Sequence, residues 1–386
     1  MLGAGPPAQG DAKARGVRVL IAGGGTAGHV FPAIALAQRL AEAHGADVRF
    51  VGTERGLESR LVLQAGFAFT AVEARPFVGK PSWQAVAAPA VAIRSVRQCR
   101  PLAEEADVVV GMGGYVSVPT ILAAARTRSP VVLHEQNAVP GMANRTLARI
   151  ARVVALSFAE SVRQFARSIR GRTVVTGNPV RETVAAVREN REALRKEAWR
   201  DLGLEEGRRT IVVFGGSQGA LHVNEAALGA VRILEGRGDL QVLLLTGPAH
   251  LDSVERRLPR GRGILVRALA FLDRMDLALA AADLVVARSG ATTIAEVTCC
   301  RLPSVLIPYP HHRDRQQELN ARAVQRAGGA SLLLDEDMTP RALADRILWL
   351  VDDEGRLREM AEHAAAWARP DAAEALAKVV QEAGAR

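Results

Sequence analysis

A glycine-rich turn that closes an apolar strand and opens a helix occurs twice in this chain. Gly24, Gly25, Thr26 and Gly28 are matched by Gly215, Gly216, Ser217 and Gly219 at a constant offset of 191 residues. The strands before and after each turn repeat as well. VRVLIA (17–22), VRFVG (48–52), DVVVGM (107–112), PVVLHE (130–135) and RVVALS (152–157) alternate with helical stretches. The alternation restarts at TIVVFG (210–215) and runs on through QVLLLTG, GILVRAL, ADLVVARSG and PSVLIPY. Wholly apolar strands separated by helices belong to a parallel sheet covered on both faces. The chain is therefore read as α/β, with two doubly wound, Rossmann-like parallel-sheet domains; its 386 residues exceed what one core usually fills. The division is a disordered tail over 1–16, domains over 17–180 and 181–365, and a C-terminal amphipathic helix over 366–386 that packs back on the first domain. The turn-rich TGNPVRE (176–182), after the fifth expected strand, is the junction.

Charge separates the two halves. Residues 1–180 hold 21 Lys and Arg against 11 Asp and Glu, and residues 181–386 hold 29 against 30. A basic half implies an anionic partner such as a phosphorylated substrate or an acidic membrane surface. Nucleic acid is the weakest of the anionic candidates and is not expected as a partner, because aromatics are 4% of the chain and no basic helix or stacking motif is present. Cys99, Cys299 and Cys300 give no paired framework or zinc spacing, and fit a reducing compartment. Asp11 interrupts any apolar leader, and no run of eighteen apolar residues exists, so the protein is expected in the cytoplasm and on a membrane rather than through it.

A glycine turn at a helix start presents backbone N–H groups to phosphate oxygens, so two turns suggest two anionic ligands. Gly23, Gly25 and Gly28 also satisfy the dinucleotide pattern, but the second strand ends at Gly52 and Thr53, with Glu54 beyond it, where that reading wants a carboxylate. No lysine follows the glycines, which excludes a P-loop. His29 opens the helix after the first turn, where the helix dipole disfavours imidazolium; a neutral ring can take a proton from a substrate hydroxyl. GMGGYVSVP (111–119) and HEQNAVPGMANR (134–145) end the third and fourth expected strands and converge on the same cleft. In the second half, RSGATTIAEV sets Ser289 and Gly290 at a helix entrance and Glu296 about 9 Å along it at 1.5 Å per residue, a separation that suits a diphosphate and a ribose. Gln316 and Gln317 offer amides for sugar hydroxyls. His311 and His312 make a poor metal pair, and Asp335 and Asp337 read as a capping cluster, so no metal is indicated.

GGTAGHVFPA, GMGGYVSVP, HEQNAVPGMANR, GNPVR, GGSQGA, RSGATTIAE and HHRDRQQ, in this order between about residues 17 and 330, closely resemble the MurG family, the N-acetylglucosaminyltransferases of bacterial peptidoglycan synthesis. The resemblance implies a GT-B fold and inverting transfer from UDP-N-acetylglucosamine to the undecaprenyl-diphosphate-linked muramyl-pentapeptide, lipid I. The product is lipid II, made without cofactor or essential metal at the cytoplasmic face of the plasma membrane, with other cell-wall synthesis proteins as further partners. Carried over by position, the donor site falls on Thr26, Ala27, Gly28, Asn137, Arg181, Ser217, Gln218, Phe271, Leu272, Ala291, Thr292, Glu296, Gln316 and Gln317. Phe271 and Leu272 border the uracil, Glu296 the ribose, and Arg181 the diphosphate. The acceptor side comprises Gly25, Tyr115, His134, Gln136 and Asn144, and the catalytic base is His29, with Glu135 as second choice. Ala27 departs from the family, which often has a third glycine there.

Residues 75–100 carry five Lys and Arg and no Asp or Glu. Phe77, Val78, Lys80, Trp83, Val86, Arg94 and Arg97 form a patch suited to an anionic membrane, where each basic group contributes about 1 kcal/mol. A dehydrogenase, a non-catalytic sugar-nucleotide-binding subunit and a nonhydrolysing UDP-sugar epimerase are the competing readings.

Overall fold

The structure is a computed structural model that describes residues 16–74, 83–216, 218–259, 261, 263–311 and 314–385, with residues 83–90 described through their backbone. Two parallel sheets organise it. The first contains β1 (Arg18–Ala22), β2 (Asp47–Gly52), β3 (Ala68–Ala71), β4 (Val108–Gly111), β5 (Val131–Glu135), β6 (Val153–Leu156) and β7 (Thr173–Val175), in the order β3-β2-β1-β4-β5-β6-β7. The second contains β8 (Arg209–Phe214), β9 (Leu240–Leu245), β10 (Leu265–Leu269), β11 (Leu284–Arg288), β12 (Ser304–Ile307) and β13 (Ser331–Leu332), in the order β10-β9-β8-β11-β12-β13. Central strands such as β4, β9 and β11 are buried along their whole length, because helices cover both faces.

Sheet order locates the site. The order in which strands are added to the sheet reverses between β1 and β4 in the first lobe and between β8 and β11 in the second, and ligands of open parallel sheets bind at such switch points. Register brings Ala22 level with Gly111, and Phe214 level with Ala287. The first glycine turn and the GMGGY loop therefore leave their sheet side by side, as do the second turn and the loop that opens the helix Ala291–Cys299. Gly25 and Gly216, equivalent in the internal repeat, both sit at positive φ, 84° and 96°; only glycine takes that conformation without strain.

Three strands escape the sequence reading: β3, β7 and β13. The lobe junction accordingly follows the seventh strand, not the fifth. Asp335 is no helix cap. The helix Pro340–Val351 is capped by the Thr339 hydroxyl, which accepts from the Ala342 N–H at 3.1 Å, while Asp335 pairs with His222 at 2.8 Å and with Arg288. The last helix, Ala372–Gly384, crosses back to the first lobe. Its Leu376, Ala377, Val380 and Ala383 share a core with β1 and the helix Ala27–His44, and Glu374 bonds Arg39 at 2.6 Å. No helix among the described residues is long and apolar enough to cross a membrane.

Candidate active site between two Rossmann-like lobes

His29 stands third in the helix Ala27–His44, and three elements build its pocket. Thr26 Oγ1 lies 3.0 Å from its Nδ1, and the Gly24 carbonyl also accepts from the ring. Gly113 and Gly114 hold positive φ, 89° and 78°, against the imidazole. A Cβ on Gly113 would fall 3.0 Å from the ring, and one on Gly114 would meet the Gly24 carbonyl at 2.5 Å. The GMGGY glycines thus make room for the histidine. Burial lowers the His29 pKa, outweighing the bond to Gly24 and the nearby charge of Glu58. Desolvation thus favours a ring that is neutral near pH 7.

Glu58, absent from the sequence reading, lies 1% exposed beneath the first glycine turn. It accepts from Gly25 N at 3.1 Å, Thr53 N at 2.9 Å and Thr53 Oγ1 at 2.7 Å. Burial opposes its charge, but these donors prevail and hold the carboxyl below its usual range. One N–H of the first turn is therefore already committed to an internal anion. Its sequence signal is the position four residues after Glu54, on the buried face of the helix Leu57–Gln64.

The HEQN loop is organised differently from the expectation. His134, Glu135, Gln136 and Asn144 are 0, 2, 2 and 3% exposed and bond within the fold. His134 Nε2 lies 3.0 Å from the Gly177 carbonyl and its Nδ1 3.1 Å from Gln136 Nε2; burial pushes its pKa down to about 4, against the Gly177 bond and aided by His29. Gln136 donates to the Met112 carbonyl at 2.7 Å. Glu135 accepts from Asn137 N at 2.9 Å, Gly141 N at 3.1 Å and Asn144 Nδ2 at 2.8 Å. Burial raises the Glu135 pKa against these donors. With both oxygens engaged, Glu135 shapes the loop and is poorly placed as a base. Tyr115 and Asn137 remain partly open, with the Tyr115 ring 3.2 Å from the Cβ position of Gly25.

Across the cleft, Gly290 precedes the helix Ala291–Cys299, whose Ala291 is buried and whose Thr292 reaches the first lobe. Pro32 lies inside the helix Ala27–His44 and has no N–H for the carbonyl four residues back, that of Gly28. The Thr292 hydroxyl supplies the missing donor at 3.1 Å, and itself lies 3.3 Å from Asn178 Nδ2. The hydroxyl expected to face the donor is therefore spent on joining the lobes beside His29. Arg181 donates through Nε at 3.0 Å and Nη2 at 2.8 Å to Glu296 Oε1, and its guanidinium lies 4.5 Å from the Phe31 ring centre. Burial raises the Glu296 pKa, and the Arg181 charge and hydrogen bonds pull it back.

Phe271 is 45% exposed and Leu272 partly buried at the far rim. Gln218 is exposed, and Ser217 lies outside the described residues. Gln316 Nε2 reaches Asp314 at 2.7 Å, and Gln317 Oε1 accepts from Tyr309 N at 3.0 Å. Of the membrane patch, Phe77, Val78 and Lys80 lie outside the described residues. Trp83 and Val86 fall in the helix Trp83–Glu105, on which Arg94 and Arg97 are exposed.

Two Rossmann-like lobes with a neutral histidine on one side of the cleft and a helix N-terminus and buried carboxylate on the other define a glycosyltransferase of the GT-B class. The chain belongs to glycosyltransferase family 28: the family's N-terminal domain matches residues 19–156 and its C-terminal domain residues 210–376. It is 37% identical over 373 residues, 95% of this chain and 99% of the relative, to the UDP-N-acetylglucosamine–N-acetylmuramyl-(pentapeptide) pyrophosphoryl-undecaprenol N-acetylglucosamine transferase of Halothermothrix orenii. The enzyme of that name from Saccharopolyspora erythraea is 42% identical over 381 residues, 98% of this chain and 97% of the relative. The crystal structure of Acinetobacter baumannii MurG superposes with a TM-score of 0.74 at 28% identity, covering 95% of this chain and 99% of that one. The UDP-GlcNAc 2-epimerase of Neisseria meningitidis, bound to UDP-GlcNAc, shares the fold alone: TM-score 0.68 and 13% identity over 95% of this chain and all of that one.

Proposed function

We infer that this chain transfers N-acetylglucosamine from UDP-N-acetylglucosamine to N-acetylmuramyl-(pentapeptide) pyrophosphoryl-undecaprenol, giving lipid II for peptidoglycan. The observation that carries this is identity of 37 to 42% with transferases of that name, sustained across both lobes. On this reading the second lobe binds the nucleotide sugar and the first binds the lipid. His29 takes the proton of the acceptor hydroxyl as that oxygen attacks the anomeric carbon, and UDP leaves from the opposite face with inversion. The diphosphate charge is met by the N-terminus of the helix Ala291–Cys299 and by Arg181, and the ribose by the free oxygen of Glu296. Phe271 and Leu272 border the base, and Gln316 and Gln317 the sugar hydroxyls. Tyr115 lines the acceptor side and Asn137 the cleft between the transferred sugar and the acceptor, while His134, Gln136 and Asn144 support that side from beneath.

The basic, apolar segment 75–100 lays the first lobe on an anionic membrane at its cytoplasmic face, the side on which a nucleotide sugar is available. The test mixes purified protein, labelled UDP-N-acetylglucosamine and a short-chain lipid I analogue in EDTA, and follows label into the lipid fraction against a control without acceptor. Transfer supports donor, acceptor and metal independence together. Conversion of the donor in the control would move the chain to the epimerase class, and UDP binding without any turnover to a binding subunit.

A further inference from the structure

Asn320 lies in the helix Gln316–Arg326, three residues after Gln317 and four after Gln316, and so on their face of the helix. It is 0% exposed, and its amide is fully used. Oδ1 accepts from Ala138 N at 2.8 Å, and Nδ2 donates to Asn137 Oδ1 at 3.1 Å and to the Ser289 carbonyl at 3.3 Å. Two partners belong to the loop after β5 in the first lobe, and the third to the loop after β11 in the second. No alternative orientation fits. An N–H can only donate and a carbonyl can only accept, so Ala138 and Ser289 fix which end of the amide faces which lobe. Asn137 must then offer its oxygen to Asn320, which turns its own Nδ2 toward Glu135 Oε1 at 3.4 Å.

We propose that Asn320 is a positioning residue for the transfer reaction: it straps the acceptor-side loop to the donor-side loop, and sets the orientation of Asn137 only when the lobes are apposed. The proposal rests on the transferase reading above. With the lobes apart, the Asn137 amide keeps only its 3.4 Å contact with Glu135 Oε1, so its orientation is fixed from both ends only when the donor side stands opposite it.

The test compares the full-length parent with Asn320→Ala, Asn320→Asp, Asn137→Ala and the double variant Asn137→Ala/Asn320→Ala. The aspartate keeps the acceptor for Ala138 and the volume of the side chain, but sets an oxygen against two oxygens. Both Asn320 variants should lose roughly tenfold in kcat, with UDP affinity by calorimetry within about twofold of the parent, since the alanine removes both neutral interlobe bonds and the aspartate removes the one to Asn137. The double variant should be no slower than Asn137→Ala, because the strap acts through Asn137. Losses that multiply in the double variant, or UDP affinity that falls in step with kcat, would overturn the proposal. Hydrogen exchange of the Ala138 amide reads the strap without chemistry: it should quicken roughly tenfold in Asn320→Ala. Unchanged exchange refutes the strap even if the parent transfers no sugar, an outcome that would by itself refute only the transferase reading.

Discussion

A histidine serves as a base only while unprotonated, so the pH at which His29 gains its proton sets the acid limb of turnover. Burial holds its pKa below the usual 6.5. kcat should therefore be flat through neutral pH and fall only below 6.5, and His29→Ala should lose about 10² to 10⁴ in kcat together with that limb, while UDP affinity stays. A limb at or above 6.5, or one that survives in the variant, removes His29 from the role. Glu58 makes the opposite kind of contribution. Its folded pKa is depressed, so the stability it gives is present above the unfolded value of about 4.3 and is lost as pH falls through the folded one. Replacing it by glutamine puts an amide group among three donors, which should cost about 1 to 3 kcal/mol at pH 7 and lower Tm by roughly 3 °C or more. The deficit should narrow toward pH 3.5, and a variant that melts with the parent at pH 7 would show that those bonds carry no net stability.

At the scale of elements, the hydrogen bond that Pro32 leaves unmade in the helix Ala27–His44 is what frees the Gly28 carbonyl for Thr292. Pro32→Ala restores an N–H that competes for that carbonyl, and also removes a residue costing about 3 kcal/mol in a helix interior. The variant should melt at or above the parent yet turn over more slowly, as a scan beside a steady-state assay would reveal; parental kcat would mean that the Thr292 contact does not matter. Sequence pattern reads some elements well and others not at all, for a physical reason. The ten strands legible as apolar runs include every central strand. Those overlooked, β3, β7 and β13, all lie at sheet edges, are four, three and two residues long, and leave residues such as Ala68, Ala71 and Val174 open to solvent. Without two covered faces a strand has no reason to be apolar throughout. The site divides in the same way. Glycine turns and helix entrances announce themselves by residue type, which is how His29, Gly113 and Glu296 are found. Asn320, Asn178 and Glu58 are ordinary polar residues in helices or loops, and their importance comes from partners 31 to 183 positions away or from burial.

Over the whole molecule, Arg181 stands at the junction with one lobe on each side: the Phe31 ring from the first and the Glu296 carboxylate from the second. The two residues expected to grip diphosphate and ribose are thus paired with each other, and only Glu296 Oε1 is taken. The pairing keeps the site ready rather than blocking it. Burial works to protonate Glu296, and a protonated carboxyl is a weaker acceptor for the hydroxyls of a ribose; the Arg181 charge opposes that protonation. Arg181→Met removes the opposing charge while keeping an apolar stem against Phe31, so the Glu296 pKa should rise further. UDP affinity in the variant should then be weaker at every pH, through the lost diphosphate contact, and should fall off more steeply than the parent's over a range of falling pH. Calorimetric titration of UDP across that range separates the two effects. A uniform loss would assign Arg181 to the diphosphate alone, whereas a loss that deepens toward acid pH, and is absent from Arg181→Met/Glu296→Gln, would show that the junction arginine keeps the ribose carboxylate charged.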